Sequence, residues 1–250
     1  VAQYALPILE KHGIPATIYC CSMPLMEHRI LNVHRVHLLQ ARLGTARFRT
    51  EFQRAVNEHP GLRVESADHV ELSNIYPYDD DATRRFKRLL NFEVPYPALD
   101  TLLADLFAHF IGSEREMLAD LYLSADEIRR CLDAGLEIGI HCHSHLTMSR
   151  LNRDEQDREL RLAADFFTSE FRVPELHCSY PYGALGTWND TTKAILGELN
   201  FVSGVTKHRA VAKPADLRDR WEIPRYDVRD IFDEANELIP DGLEALFTAD

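Results

Sequence analysis

Residues 134–145 read AGLEIGIHCHSH, and this short stretch decides the fold. Upstream of it, SADEIRRCLDAG predicts a helix with Ser124 as N-cap, Glu127 at the capping-box position and Gly135 as the stop. Leu136–Cys142 then predicts a buried strand, short, apolar and leaving a turn residue for entry. A helix, a glycine stop and a buried strand make half of an α/β unit. The same rhythm repeats outward. Val1–His12, Gly13 and Ala16–Cys21 give helix, stop and strand. Downstream come a long amphipathic helix over 149–171, a strand at Leu176–Gly183, a helix at 188–200, a strand at 201–206 and a last strand at Trp221–Val228. A closing helix is expected from about Arg229 to the end. Alternating strands and helices imply a mostly parallel sheet or barrel.

The rhythm breaks between Ser22 and Ala119. Four segments there, within 33–44, 47–61, 80–95 and 98–112, show helical spacing and end near Gly or Pro, with no strand among them. The reading is a helical insertion at 22–119 between two core strands, with a polar turn at Tyr76–Asp81.

The bulk numbers exclude some functions. The 250 residues carry a formal charge of −12, so a phosphate backbone gains nothing here and nucleic acid is excluded as a partner. A neutral or cationic amino-sugar polymer is compatible. No apolar run has the length of a membrane span. The five cysteines, Cys20, Cys21, Cys131, Cys142 and Cys178, form no CxxC pair, which argues for buried free thiols and against a zinc-thiolate site. The free thiols lean toward a bacterial cytoplasm, with the cell envelope as the other location. Val1 begins inside a helical pattern, so the natural N-terminus is expected upstream, and a signal peptide there stays open.

Two clusters carry chemistry. His141, His143 and His145 follow the strand LEIGI, and strand C-termini are where α/β proteins build sites. If the chain turns helical there, His141 and His145 share a face and can bind one metal ion, while His143 points elsewhere. A surface turn rich in histidine is the alternative. The second cluster, Ser179-Tyr180-Pro181-Tyr182-Gly183, also leaves a strand; it is either an ordinary Pro-Gly turn or a source of backbone N–H donors for an oxyanion.

In this order the clusters resemble the polysaccharide deacetylase family. The resemblance rests on YALPILEKHGIPATIY, LYLSADEIRRCLDAGLEIGIHCHSHLTMSRL, CSYPYGALGTWND and WEIPRYDV. It implies a distorted (β/α) barrel in one domain over 1–250. It implies a divalent metal, zinc foremost, held by one Asp and two His, and hydrolysis of the acetamide of an N-acetylated sugar. His141 and His145 match the histidine ligands, the Tyr182 backbone N–H matches the oxyanion donor, and Tyr180 and Pro181 are assigned to substrate binding. The family's first motif, an Asp-Asp pair giving base and third ligand, belongs before Val1. The 250 residues by themselves are therefore expected to be inactive.

Two further departures matter. Cys142 replaces a usual Thr or Ser and is expected to fill space. Ser179 replaces an Arg that orients the base. Arg225 is expected to bring a guanidinium to the same cleft as His141, with a surface salt bridge to Asp227 or Asp230 as the alternative. His208 is a weak match to the family's late general acid. His34, His37 and His109 are expected to be solvated or capping. Against the enzyme stand a carbohydrate-binding or scaffolding domain of the same fold, and a different His-x-x-x-His hydrolase, which lacks the Glu of His-Glu-x-x-His.

Overall fold

The computed structural model describes residues 1–59, 61–64, 80–214 and 216–232. Helix α1, Ala5–His12, stops at Gly13, whose φ of 60° lets its N–H reach back to the last carbonyls. Strand β1, Thr17–Cys20, follows. Helices α2 (Met23–Met26), α3 (Asn32–Leu43), α4 (Thr45–Glu58) and α5 (Asp81–Arg88) come next, then a π-helical turn at Leu89–Glu93. Helices α6 (Tyr96–Phe110), α7 (Glu114–Leu121) and α8 (Ala125–Asp133) lead to β2, Glu137–Ile140. Then come α9 (Arg153–Phe171), β3 (His177–Ser179), α10 (Asp190–Glu198), β4 (Ser203–Val205) and α11 (Val228–Ile231).

The four strands form one parallel sheet in the order β1-β2-β3-β4. This is the expected α/β class, with strand order following chain order. β1 and β2 pair directly from Thr17↔Glu137 to Cys20↔Ile140, although the helical stretch separates them in sequence. Among the described residues the sheet is an open arc, continued past β4 only by a bridge from Val205 to Ile223. The expected strand at Trp221–Val228 shrinks to that bridge. Past Ile223 the register is lost: the Arg225 N–H bonds the His208 carbonyl, and the Thr206 carbonyl takes Arg225 Nε.

The capping box before α8 forms as expected, with Ser124 and Glu127 exchanging hydrogen bonds. Asn152 and Glu155 do the same before α9. Helices α8 and α9 cover the sheet through Ile128, Cys131, Leu160, Ala163 and Phe167. The stretch from α3 to α6 builds a core of its own around Leu39, Phe48, Phe52, Phe86, Leu90 and Leu103. Helix α7 buries no residue, so its apolar spacing gave no stripe to read, and it carries the helical stretch past the expected end at Ala119. Of the polar turn Tyr76–Asp81, only Asp80 and Asp81 lie among the described residues, and most of the expected closing helix lies outside them.

Candidate active site

The site forms where β2 ends. The His141 N–H bonds the Cys20 carbonyl at 2.9 Å, extending the β1–β2 pairing by one residue. The chain then leaves the sheet without becoming helical. Cys142 and His145 both take left-handed conformations, with φ of 59° and 62°. Such values are uncommon outside glycine. These two bends, rather than a helical turn, bring His141 and His145 together, with ring centroids 4.8 Å apart at 74°.

Three anchors hold the loop. His143 points away from the pair, with Nδ1 2.8 Å from Ser22 Oγ and Nε2 2.9 Å from Glu27 Oε1. Ser144 donates its N–H and its hydroxyl to Glu159 on α9. The Thr147 N–H donates to the Tyr96 hydroxyl on α6. Cys142 is fully buried, its thiol against Met148 Sδ, so it fills space beneath the loop.

The electrostatics of the pair favour neutral rings. His141 Nδ1 lies 2.6 Å from the Ser179 carbonyl. A carbonyl only accepts, so Nδ1 carries the proton and Nε2 keeps its lone pair. Burial pushes the His141 pKa down to about 4, with the Arg225 charge adding to the effect against the Ser179 hydrogen bond. Burial, and then the neighbouring His141, hold His145 well below the ordinary histidine value. His145 Nδ1 is buried and has no hydrogen-bond partner among the described residues.

These shifts have a consequence for stability. Each ring is neutral in the fold and takes up a proton more readily when unfolded. The unfolded state therefore binds more protons below about 6.5, and stability rises with pH there. For His141 the contribution is complete above about 6.5 and is lost as pH falls toward about 4. Denaturant midpoints of the metal-free protein should fall through that window. His141→Asn should flatten the fall; an unchanged slope would contradict the assignment.

A groove of about 320 Å³ opens beside the pair, lined among others by Ile18, Tyr19, Cys21, His34, His141 and His145. The Cys21 thiol donates to the His141 carbonyl. Burial raises its pKa well above the usual thiol value, so it stays protonated and is a poor ligand. Two neutral imidazoles, one oriented through Nδ1 and one with an orphaned Nδ1, suit a divalent ion such as zinc. Among the described residues no third His, Cys, Asp or Glu joins them in a metal-holding group.

The other expected residues fall as follows. Tyr182, with φ of 64°, lays its ring against His145 at 5.1 Å and donates its hydroxyl to Asn91 Oδ1 at 2.9 Å. Arg225 Nε donates to the Thr206 carbonyl at 2.9 Å, and its charge acts on His141 and on Tyr19 across the sheet end. Two residues assigned to substrate binding lie in the core. Tyr180, expected at the substrate, is a core residue, 1% exposed, stacked on Trp188 and bonded through its hydroxyl to the Trp221 carbonyl. Pro181 is buried beside it. Neither side chain lines the groove. A Tyr following a strand points alternately in or out, and here the strand register turns it inward. His208 and His109 are exposed.

Sequence reasoning missed two contributions from the helical stretch. Asn91 reaches Tyr182 from the π-helical turn, where the Val94 N–H skips back to the Leu89 carbonyl. Such turns often mark functional positions, but nothing in the local sequence signals this one. His34 on α3, expected to be solvated or capping, lines the groove with His141 and His145.

The polysaccharide deacetylase family model matches residues 78–203. The chain belongs to the polysaccharide deacetylase family. No curated protein matches it. Among solved structures, the BpsB deacetylase domain from Bordetella bronchiseptica is similar over 90% of this chain and 65% of that one, at 15% identity and TM-score 0.44. This chain thus spans about two thirds of that structure. The Streptococcus pyogenes deacetylase PplD, solved with acetate, is similar over 84% and 89% of the two chains, at 18% identity and TM-score 0.39. A family 4 carbohydrate esterase from Streptomyces lividans, also with acetate, is similar over 38% of this chain and 46% of its own, at 19% identity and TM-score 0.30.

Proposed function

We propose that residues 1–250 belong to one metal-dependent catalytic unit that removes N-acetyl groups from an amino-sugar polysaccharide or oligosaccharide, with 22–119 as an insertion. The observation that carries this reading is the His141–His145 pair at the carboxyl edge of the sheet, half-buried, neutral and, among the described residues, partly unpartnered, in a chain of the deacetylase family. His141 through Nε2, and His145, would hold a divalent metal, zinc foremost. Such an ion, when bound, supplies a Lewis acid for the acetamide carbonyl and lowers the pKa of water.

The chain's own residues do the rest. The Ser179 carbonyl fixes the His141 ring, and Tyr182 backs His145. Tyr182, at a left-handed bend, offers its backbone N–H to the oxygen that gains charge as the carbonyl is attacked. Arg225 contributes positive charge that would keep a nearby carboxylate ionised.

The test is acetate release from an N-acetylglucosamine oligomer by the full-length gene product, before and after chelation. Release should fall to background with chelator and return with zinc. Release that ignores exhaustive chelation would remove the metal from the account. Saccharide binding without any release would favour a binding domain of the same fold.

A further inference from the structure

The helical stretch puts a polar group into the groove with its orientation already set. Helix α3 is anchored at its first turn by Arg35, 1% exposed, which bonds Asn32, Asp100 and Glu114. One residue before it, His34 faces the groove that His141 and His145 line. His34, His141 and His145 thus line one groove.

His34 is held from behind. Its Nδ1 lies 2.6 Å from the hydroxyl of Tyr122, the residue after α7. The same hydroxyl accepts the Leu31 N–H at 2.9 Å, one of the unsatisfied donors at the start of α3. A phenol has one proton to give. In the arrangement in which the phenol proton goes to His34 Nδ1, the imidazole carries its own proton on Nε2. Burial raises the Tyr122 pKa, so the phenol keeps its proton. Burial, with His37 nearby, lowers that of His34, so the ring is neutral. Nε2 makes no hydrogen bond to a described residue.

We propose that His34 is a substrate-binding residue contributed by the insertion: its Nε2–H, set by the Tyr122 hydroxyl, donates to a hydroxyl or carbonyl oxygen of the bound N-acetylated sugar. This rests on the deacetylase reading above. A rigid donor opposite the two histidines positions the sugar without taking part in bond breaking. The ring's tautomer is set before substrate arrives, so little ordering is left to do on binding.

Steady-state kinetics of the full-length gene product on an N-acetylglucosamine oligomer test this. His34→Ala should raise KM about tenfold with kcat nearly unchanged, the pattern of a lost binding hydrogen bond. His34→Gln, which keeps an N–H donor, should recover most of the loss. Tyr122→Phe should raise KM in the same direction by less, and its thermal transition should show that it folds. Parental KM in His34→Ala overturns the proposal, as does a fall in kcat at constant KM. If His34→Ala does not fold, Tyr122→Phe decides: parental KM in that variant overturns the proposal. A parent that releases no acetate from the oligomer defeats the deacetylase reading first, and this inference with it.

Discussion

His145→Ala in the full-length gene product is expected to lower kcat/KM for N-acetyl hydrolysis by more than about 100-fold, and His141→Ala by a similar factor. Outer-sphere partners of metal ligands typically cost 10–100-fold when removed, so a direct ligand should cost more. The two variants differ in what they leave behind. His141 is tied to the Ser179 carbonyl, so its removal also frees an acceptor at the end of β3. Among the described residues His145 Nδ1 has no hydrogen-bond partner, so its removal strands none of them and its structural cost is small. His145→Ala is therefore the cleaner experiment. It should keep the parental thermal transition while losing turnover. Parental turnover in this variant would show that the histidine pair is not the reacting centre.

The second large effect is on stability. Phe52 is fully buried in the core of the helical stretch and meets Phe48 edge-on at 6.2 Å and Phe86 at 5.8 Å. Phe52→Ala should cost about 3–5 kcal/mol, because the aromatic contacts go and a cavity stays. That core is distinct from the one under the sheet. Hydrogen exchange should therefore rise first in α3–α6 and least in the β1–β2 pair. The expected secondary effect is on the site, since α2, α3, α6 and the π-helical turn carry Glu27, His34, Tyr96 and Asn91 toward it. Equal exchange across both regions would mean that the helices and the sheet unfold as one unit.

Much of the fold was legible because its signals are local. Gly13 and Gly135 stop helices, Ser124 and Glu127 start one, and the apolar runs ATIYC and LEIGI have no role but that of buried strands. The neighbouring positions of β1 and β2 followed from treating the intervening helices as an insertion. The site was legible only in part. His141 and His145 stood out by spacing, yet the left-handed bends at Cys142 and His145 that join them depend on anchors at Ser22, Glu27, Glu159 and Tyr96, all distant in sequence. Asn91 and His34 reach the site through tertiary packing, which leaves no periodicity to read. The placement of Tyr180 was hidden for a related reason. Its place in the motif suggested substrate, but a stacked Trp188 and a hydrogen bond to Trp221 claim the side chain for the core. The expected strand at Trp221–Val228 gave way to a bridge because past Ile223 the Arg225 N–H turns to the His208 carbonyl.

The most direct measurement of the central claim is calorimetric titration of zinc into the metal-free full-length gene product and into its His141→Ala and His145→Ala variants. One tight site is expected in the parent, weakened more than about 100-fold in each variant, with the thermal transition of metal-free His145→Ala unchanged. Variants that fold and bind zinc as tightly as the parent would contradict it, because the two histidines would then not be the ligands.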